Sequence, residues 1–494
     1  MMGQFAEAEQ NYRQAISSLQ DLERRLPGDD RPVRARARAE HGLGILLRKL
    51  NRFREAEASL RAALQLRDQL AARSPDDRAL LQARTDSRYH LGALLARLAS
   101  PSAEDRKLYE QAIKDQQDLI NLDPNEPENR IKLARYLNNL ALLESKSDST
   151  KAERSFRKAL DLLAGLDAAR AGLPDARWQA ARASNNLATI VEGKGHRDEA
   201  ETIFKRARDA MNRLTLEFPR ILQYRRELAL IFKNLGALGQ RIKNQQLTAE
   251  GFRQSASQLE ELARANPQVP DYRADRDIAL FQLGLLKAET DLAAGERELE
   301  PLLADQEKLV ASYPAVPDYR NALARNLLEY GTLLHGKGDR SGASQRVEQA
   351  ATQLREALKA DPGNRVYGKN LAEALTLEIV IALKGKDTRK IAALAEQLIE
   401  TPAADLTAYR TAAAALTRCL ARTASDESLP PEVREERAET QGRRAVEILQ
   451  KALDRGLLRS PDPLKDEEFV PLRTRPDFIE LFKKLRDLQA PATG

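Results

Sequence analysis

Residues 43–63 read LGILLRKLNRFREAEASLRAA and carry the pattern that decides the fold. A small residue, Gly44, follows a leucine, and three positions stand out 12, 16 and 19 residues later: Ala56, Leu60 and Ala63. These three share one helix face, because residues three and four apart on a helix are neighbours. The stretch therefore predicts two helices that are joined by a short turn and approach each other closely through small side chains.

The small residue returns at nearly constant spacing through most of the chain. The intervals are 48, 49, 47, 48, 48 and 47 residues, and the positions are Gly44, Gly92, Ala141, Ala188, Gly236, Gly284 and Gly331. We call these seven positions the anchors. Self-similarity at a fixed period indicates a stacked repeat array. No segment alternates with the period of a strand, so we expect an all-α chain with more than about 70% helix.

Most copies also repeat the later offsets, which after Ala188 give Ala200, Phe204 and Ala207. The copy after Gly284 lacks the pattern, since Glu296 stands where a small residue is expected. The small–bulky–small arrangement resembles the helix–turn–helix of the tetratricopeptide repeat (TPR) family over roughly residues 40–385. The resemblance implies a right-handed superhelical solenoid of antiparallel helix hairpins. It also implies binding on the concave wall that the first helix of each hairpin forms.

The repeat is longer than the family's usual unit of about 34 residues. Prolines that end helices lie 31 residues after four anchors, at Pro75, Pro219, Pro267 and Pro362, and the next anchor position follows 17 residues later. Both helices of a hairpin are therefore extended, each by close to two turns. We expect helices of about 20 residues that pack along their full length.

The two ends of the chain differ from the middle. Residues 1–30 read as the second helix of a hairpin without its first helix, and this edge helix is a candidate surface for self-association. Repeats of about 48 residues occupy 31–402. We interpret 403–456 as a divergent terminal helix pair. We interpret 457–494 as a capping segment, because prolines that interrupt helices precede an amphipathic helix in this range.

The stretch from Phe469 to Phe478 gives a second resemblance, together with Pro-Asp-Tyr-Arg at 317–320. It is similar to the long TPR tails that follow serine/threonine kinase domains in some bacteria. The kinase motifs are absent, and the tripeptide His196-Arg197-Asp198 lacks the asparagine that a catalytic loop requires. This resemblance implies an alternative function as the sensor or docking arm of a bacterial kinase system, and it leaves open whether the chain is a fragment of such a protein.

Few residues in the chain carry chemistry. The four histidines fall in different repeats without metal-ligand spacing, and Cys419 is the single cysteine. We expect no cofactor, no metal and no enzymatic activity. There is no apolar leader and no candidate membrane span, so the prediction is a cytoplasmic protein. The 80 basic and 74 acidic side chains give a mixed surface of net charge +6, which does not favour nucleic acid as a partner.

A candidate binding strip follows from the TPR resemblance, which places exposed groove residues six and three positions before each anchor. The strip comprises Arg135, Asn138, Arg182, Asn185 and Lys233. Guanidinium, amide and ammonium groups suit a carboxylate or an extended peptide. The set resembles the carboxylate clamps of peptide-binding TPR domains, although those use somewhat different positions. We predict a non-catalytic scaffold that binds a protein or peptide in the concave groove. A solvated helix face without a ligand is one alternative, and a nucleic-acid-binding helical repeat is the alternative from another class.

Overall fold

The computed structural model describes residues 2–50, 52–98, 103–169, 173–385 and 387–488. Helix accounts for 85% of the described residues, and these residues contain no strand. The helices follow one another in successive pairs, so the prediction of an all-α, TPR-like solenoid of helix hairpins is confirmed. The chain divides into two compact units, residues 1–279 (unit 1) and 280–494 (unit 2).

Unit 1 holds eleven described helices and the first half of a twelfth. They are α1 Met2–Arg25, α2 Asp30–Lys49, α3 Phe53–Arg73, α4 Arg78–Leu98, α5 Ala103–Leu122, α6 Pro127–Glu144, α7 Ser149–Ala169, α8 Pro174–Gly193, α9 Arg197–Glu217, α10 Leu222–Arg241, α11 Gln245–Ala265 and α12 Pro270–Thr290.

Unit 2 begins within α12 and continues to the last described helix. Its further helices are α13 Leu292–Ser312, α14 Pro317–Lys337, α15 Arg340–Ala360, α16 Arg365–Gly385, α17 Thr388–Ile399, α18 Leu406–Ala424, α19 Pro431–Asp454 and α20 Pro476–Asp487, with short 3₁₀ helices at Asp462–Leu464 and Glu467–Leu472. Helices α2 to α16 are 18 to 21 residues long, which confirms the predicted extension of both helices of each hairpin.

Each hairpin closes around its anchor. All seven anchors are buried, as predicted. A Cβ atom added at Gly236 would lie 3.0 Å from the ring of Phe252, and one at Gly331 would lie 2.7 Å from Val347 Cγ2. The apolar residue 16 positions after each of these anchors therefore occupies the space that a larger anchor side chain would need.

The hairpin that follows Gly284 is regular, although its sequence breaks the pattern. Its turn is a single residue, Asp291, between α12 and α13. The shorter turn moves the contact positions one residue earlier, so the buried residues are Gly295 and Leu299 instead of Glu296 and Glu300. A Cβ atom at Gly284 would lie 2.7 Å from Leu299 Cδ2. The break in the sequence pattern arises because the offsets assume a longer turn.

The first helix, α1, packs against α2 through Tyr12 and the buried Ile16. Its largest exposed apolar side chain in the described residues is Leu22, which is 40% exposed, and the exposed Leu26 follows in the turn. At the other end, the second 3₁₀ helix contacts α18 and α20 contacts α19. Residues 489–494 of the predicted cap lie outside the described ranges. The predicted boundaries near 30, 402 and 456 and self-association through α1 stay predictions.

Candidate functional site

The first helices of unit 1 form a continuous wall. Helices α2, α4, α6, α8 and α10 each contact the first helix of a neighbouring hairpin, in addition to their own second helix. The predicted binding strip lies on α6, α8 and α10. The structure places its five residues in three different surroundings.

The two asparagines do not face an open groove. Asn138 and Asn185 are each only 1% exposed. Asn138 Oδ1 accepts a hydrogen bond of 3.0 Å from Asn186 Nδ2, and Asn185 Oδ1 accepts one of 2.9 Å from Asn234 Nδ2. The expected exposure three positions before the anchor was therefore wrong for these residues, because their amides join consecutive repeats inside the wall.

These bonds form a regular ladder, which we call the amide ladder. Each donor stands two positions before its anchor, and each acceptor stands three positions before the preceding anchor. The three rungs are Asn139 to Tyr89 Oη (2.9 Å), Asn186 to Asn138 and Asn234 to Asn185. Because an unpaired buried amide is costly, the ladder fixes the register of neighbouring hairpins.

Arg135 is half-buried and already has a partner. Its Nη2 atom donates to Asp175 Oδ2 at 3.2 Å, and its Nε atom is buried without a hydrogen-bond partner in the described part of the chain. Arg135 thus connects α6 to the start of α8.

Arg182 and Lys233 line a cavity of about 480 Å³ between the first helices α8, α10 and α12, with α11 behind it. Trp178 on α8, Leu230 on α10 and Asp275 on α12 also line this cavity. The cavity lies within unit 1, and we call it the groove cavity.

Arg182 is held in place from two sides. Its guanidinium carbon lies 5.1 Å from the centroid of the Trp178 ring, and its Nε atom lies 3.5 Å from Glu227 Oε2. Cation–π contact and a partly buried ion pair both limit the rotamers of a long side chain. The indole N–H of Trp178 is buried and has no hydrogen-bond partner in the described residues.

The cavity lining holds three cations and two carboxyl groups. Burial raises the pKa of Glu227 against the opposing effect of Arg182 and Arg226, and it raises the pKa of Asp275 against Lys233 and Arg226. Within the described ranges, neither Arg226 nor Lys233 has a hydrogen-bonded or ion-paired carboxylate. The site can therefore accept an anionic group without first breaking a salt bridge at these two cations.

Reasoning from the sequence found Arg182 and Lys233, and the rule of six residues before an anchor also gives Leu230. It missed the other residues of the cavity lining. Trp178 and Arg226 stand ten positions before their anchors, and Glu227 and Asp275 stand nine before theirs. These positions lie one helical turn ahead of the predicted strip on the same face. Continuing the strip by four residues toward the N-terminus would have included them.

Two of the four histidines, His41 and His90, are closer together than the sequence suggested. The rings of His41 and His90 lie 5.2 Å apart, and His41 Nδ1 lies 3.2 Å from Ser87 Oγ. Burial first, and then nearby cationic groups, lower the pKa of His41 to about 4 and that of His90 to about 3. No group of three potential ligands in the described residues could hold a metal ion. None of the described helices is long and apolar enough to span a membrane.

Comparisons with known proteins agree with the repeat pattern. Residues 37–69, which include Gly44 and Ala63, match the tetratricopeptide repeat family. No curated protein matches the chain in sequence.

Solved structures similar to this chain include three helical repeat proteins. Yeast Tom70 is 15% identical over 88% of this chain and 97% of that chain, with a TM-score of 0.35. A tetratricopeptide repeat protein from Parabacteroides merdae is 15% identical over 75% of this chain and 98% of its own, with a TM-score of 0.31. The human IFIT1 dimer with m7Gppp-AAAA is 16% identical over 79% and 90%, with a TM-score of 0.33.

The family match falls on the hairpin of α2 and α3, and the same buried anchor recurs in the hairpins that follow. The chain is a helical repeat array in which residues 37–69 match the tetratricopeptide repeat family.

Proposed function

We propose that the chain binds an acidic segment of a partner protein along the wall that the first helices of unit 1 form, with the groove cavity as the centre of the site. TPR folds are typical of protein-interaction modules and are generally non-catalytic. The observation that carries the proposal is the set of three cations, Arg182, Arg226 and Lys233, around one cavity. Two of them, Arg226 and Lys233, have no carboxylate partner in the described residues.

An acidic side chain of the partner would meet preorganised donors. Arg182 is fixed against Trp178, and a planar guanidinium can bind a carboxylate through two hydrogen bonds. The indole N–H of Trp178 lacks a partner within the described part of the protein. Leu230 is 37% exposed beside these groups and offers apolar contact to the stem of the bound residue.

The repeat spacing suits an extended ligand. Packed helices lie about 8–10 Å apart, and a polyproline II segment rises about 9 Å in one turn of three residues, so that every third side chain faces the same wall. Acidic residues at every third position of a partner segment would therefore reach Arg182 on α8 and Lys233 on α10 in succession. Of the five residues in the predicted binding strip, the proposed site therefore keeps only Arg182 and Lys233. Arg135 could contact the ligand only if its hydrogen bond to Asp175 were broken.

We also keep the narrower alternative that the chain serves as the docking arm of a bacterial kinase system. It rests on the similarity of residues 469–478 to the ends of kinase-linked TPR tails. An acidic docking segment on such a kinase would use the same cavity, so both versions share one binding experiment.

The experiment measures binding of a labelled peptide of Glu-Ser-Val triplets to the full chain. Replacing Arg182 and Lys233 by alanine should weaken binding by about tenfold or more, since a charge-assisted hydrogen bond contributes roughly 1.5–3 kcal/mol. The matched control is Arg177→Ala, because Arg177 lies on the same helix and donates to Glu217 at 2.6 and 2.8 Å instead of lining the cavity.

Equal affinity of the peptide for the double variant and the parent chain would contradict the proposal. Tight binding of a single-stranded RNA oligonucleotide through the same two residues would instead support the nucleic-acid alternative. Circular dichroism of each variant checks that the helix content is unchanged.

A further inference from the structure

A second cavity lies in unit 2, at the C-terminal cap. It has a volume of about 720 Å³ and is lined by α20 and by residues of the segment that carries the two 3₁₀ helices. Its apolar lining includes Phe478, Ile479 and Phe482. Ile479 is 55% exposed, which is unusual for a large apolar side chain beside a concave surface. We call this feature the cap cavity.

The two arginines of the Pro471–Phe478 stretch have separate roles around it. Arg475 is mostly buried and binds Glu439 on α19 at 2.6 and 2.9 Å, so it attaches α20 to the last hairpin. Arg473 is exposed and lines the cap cavity. Its guanidinium donates to the backbone carbonyl oxygens of Lys465 and Asp466, at 2.6 and 3.4 Å, which orients the group without neutralising its charge.

Two further cations line the cavity without a carboxylate partner in the described residues. Lys483 makes no ion pair there, and the Arg486 guanidinium carbon lies 4.9 Å from the centroid of the Phe482 ring. By contrast, the neighbouring Lys484 is paired with Glu480 at 2.9 Å. Together with Arg473, three cations of the cavity lining have no carboxylate partner in the described residues. The lining also contains Lys465, which is paired with Asp462 at 2.7 Å, and one acid, Asp487.

We infer that the cap cavity binds an acidic segment of a partner protein that carries one bulky apolar side chain. The apolar side chain would enter the cavity beside Ile479 and Phe482, and the flanking carboxylates would pair with Arg473, Lys483 and Arg486. Recessed apolar surface with a few placed polar groups suits a side chain better than a flat lipid headgroup layer. The inference concerns a different surface from the groove cavity and does not depend on it.

The test uses the full chain and a labelled peptide with three aspartates on each side of one phenylalanine. We expect binding that weakens by about tenfold or more in the Arg473→Glu/Arg486→Glu variant, and also when the phenylalanine of the peptide is replaced by alanine. Lys484→Glu is the matched control and should bind as the parent does. If the double variant loses its helical dichroism, Lys483→Glu alone provides the comparison.

Several results would overturn the inference. The first is equal binding of the peptide by the parent and the charge-reversed variant. The second is loss of binding only in the Arg182→Ala/Lys233→Ala variant, which would place the peptide in the groove cavity. The third is binding to phosphatidylserine vesicles, sensitive to Arg473→Glu/Arg486→Glu, without binding of the peptide.

Discussion

The backbones of α10 and α11 meet where two glycines face each other. A Cβ atom on Gly251 would collide with the backbone nitrogen of Gly236, and one on Gly239 would lie 2.5 Å from the backbone nitrogen of Thr248. Side chains larger than hydrogen at these positions would push the helices apart. The contact is a case of packing in which the smallest residue is needed on both partners.

We expect the single substitution Gly236→Leu to destabilise the chain by about 1–3 kcal/mol, because overpacking forces neighbouring side chains out of their preferred rotamers. The leucine would displace the ring of Phe252, which lies 3.0 Å from the position that a Cβ atom on residue 236 would take. Urea unfolding of the full chain measures the effect. Gly193→Leu is the control, since no atom lies within 4 Å of its Cβ position; an equal loss in both variants would contradict the packing explanation.

The anchors could be predicted from the sequence because they are small residue types that recur at a nearly constant spacing. The burial of Asn138 and Asn185 could not be predicted, because the sequence does not distinguish an asparagine on a solvated helix face from one in a buried hydrogen-bond ladder. Only the position of the partner amides, Asn186 and Asn234, distinguishes the two cases. The surroundings of the cations that line the groove cavity depend in the same way on which residues other helices place near them.

Side chains cap the starts of several helices. Asp291 is the single turn residue between α12 and α13, and its carboxylate accepts a hydrogen bond of 3.0 Å from the backbone N–H of Ala294. Asn244 and Asp339 cap α11 and α15 in the same way, with N–H bonds of 3.0 and 2.9 Å. A turn as short as the one at Asp291 leaves no other residue to satisfy the free N–H groups of the new helix.

We therefore expect Asp291→Ala to cost about 1 kcal/mol of stability and Asp291→Asn to cost little, because asparagine retains the capping oxygen. Thermal unfolding of the two variants beside the parent chain makes the comparison. Equal melting temperatures for the alanine and asparagine variants would show that the cap contributes nothing.

Helix lengths could be predicted because the prolines lie at nearly constant distances from the anchor before them and from the anchor after them. The contacts of the hairpin after Gly284 could not, because one missing turn residue shifts Gly295 and Leu299 out of the counted register. Counting offsets along the sequence assumes that every turn has the same length. In this hairpin the helix contact is the same as in the others, but the turn is shorter.

Across the whole chain, the response to acid should depend on the cluster of His41 and His90. The side chain of Arg67, only 6% exposed, lies against this cluster, and its Nη1 atom donates to Ser87 Oγ at 2.6 Å. Adding protons to the imidazoles would place further positive charge beside a buried guanidinium. The folded chain therefore keeps both histidines neutral well below their ordinary pKa.

The direction in which stability changes with pH follows from the linkage between protonation and folding. Below about pH 6.5 the unfolded chain takes up protons that the folded chain does not bind until about pH 4 at His41 and about pH 3 at His90, so stability falls as the pH drops through this range. We expect each histidine to account for about 1–2 kcal/mol of the loss between about pH 7 and pH 5. Urea unfolding at both pH values should show a smaller loss for His41→Gln/His90→Gln than for the parent. Identical losses would exclude the histidines as the cause.

The amide ladder has a consequence for how such an array can change length. Excising residues 141–187 would join Leu140 directly to Ala188 and keep the helical register, since one whole repeat is removed. Asn234 would then face Asn138, the same kind of acceptor that it meets now in Asn185. At this part of the wall the hairpins are interchangeable modules, which can be lost or duplicated singly while every rung still finds its counterpart.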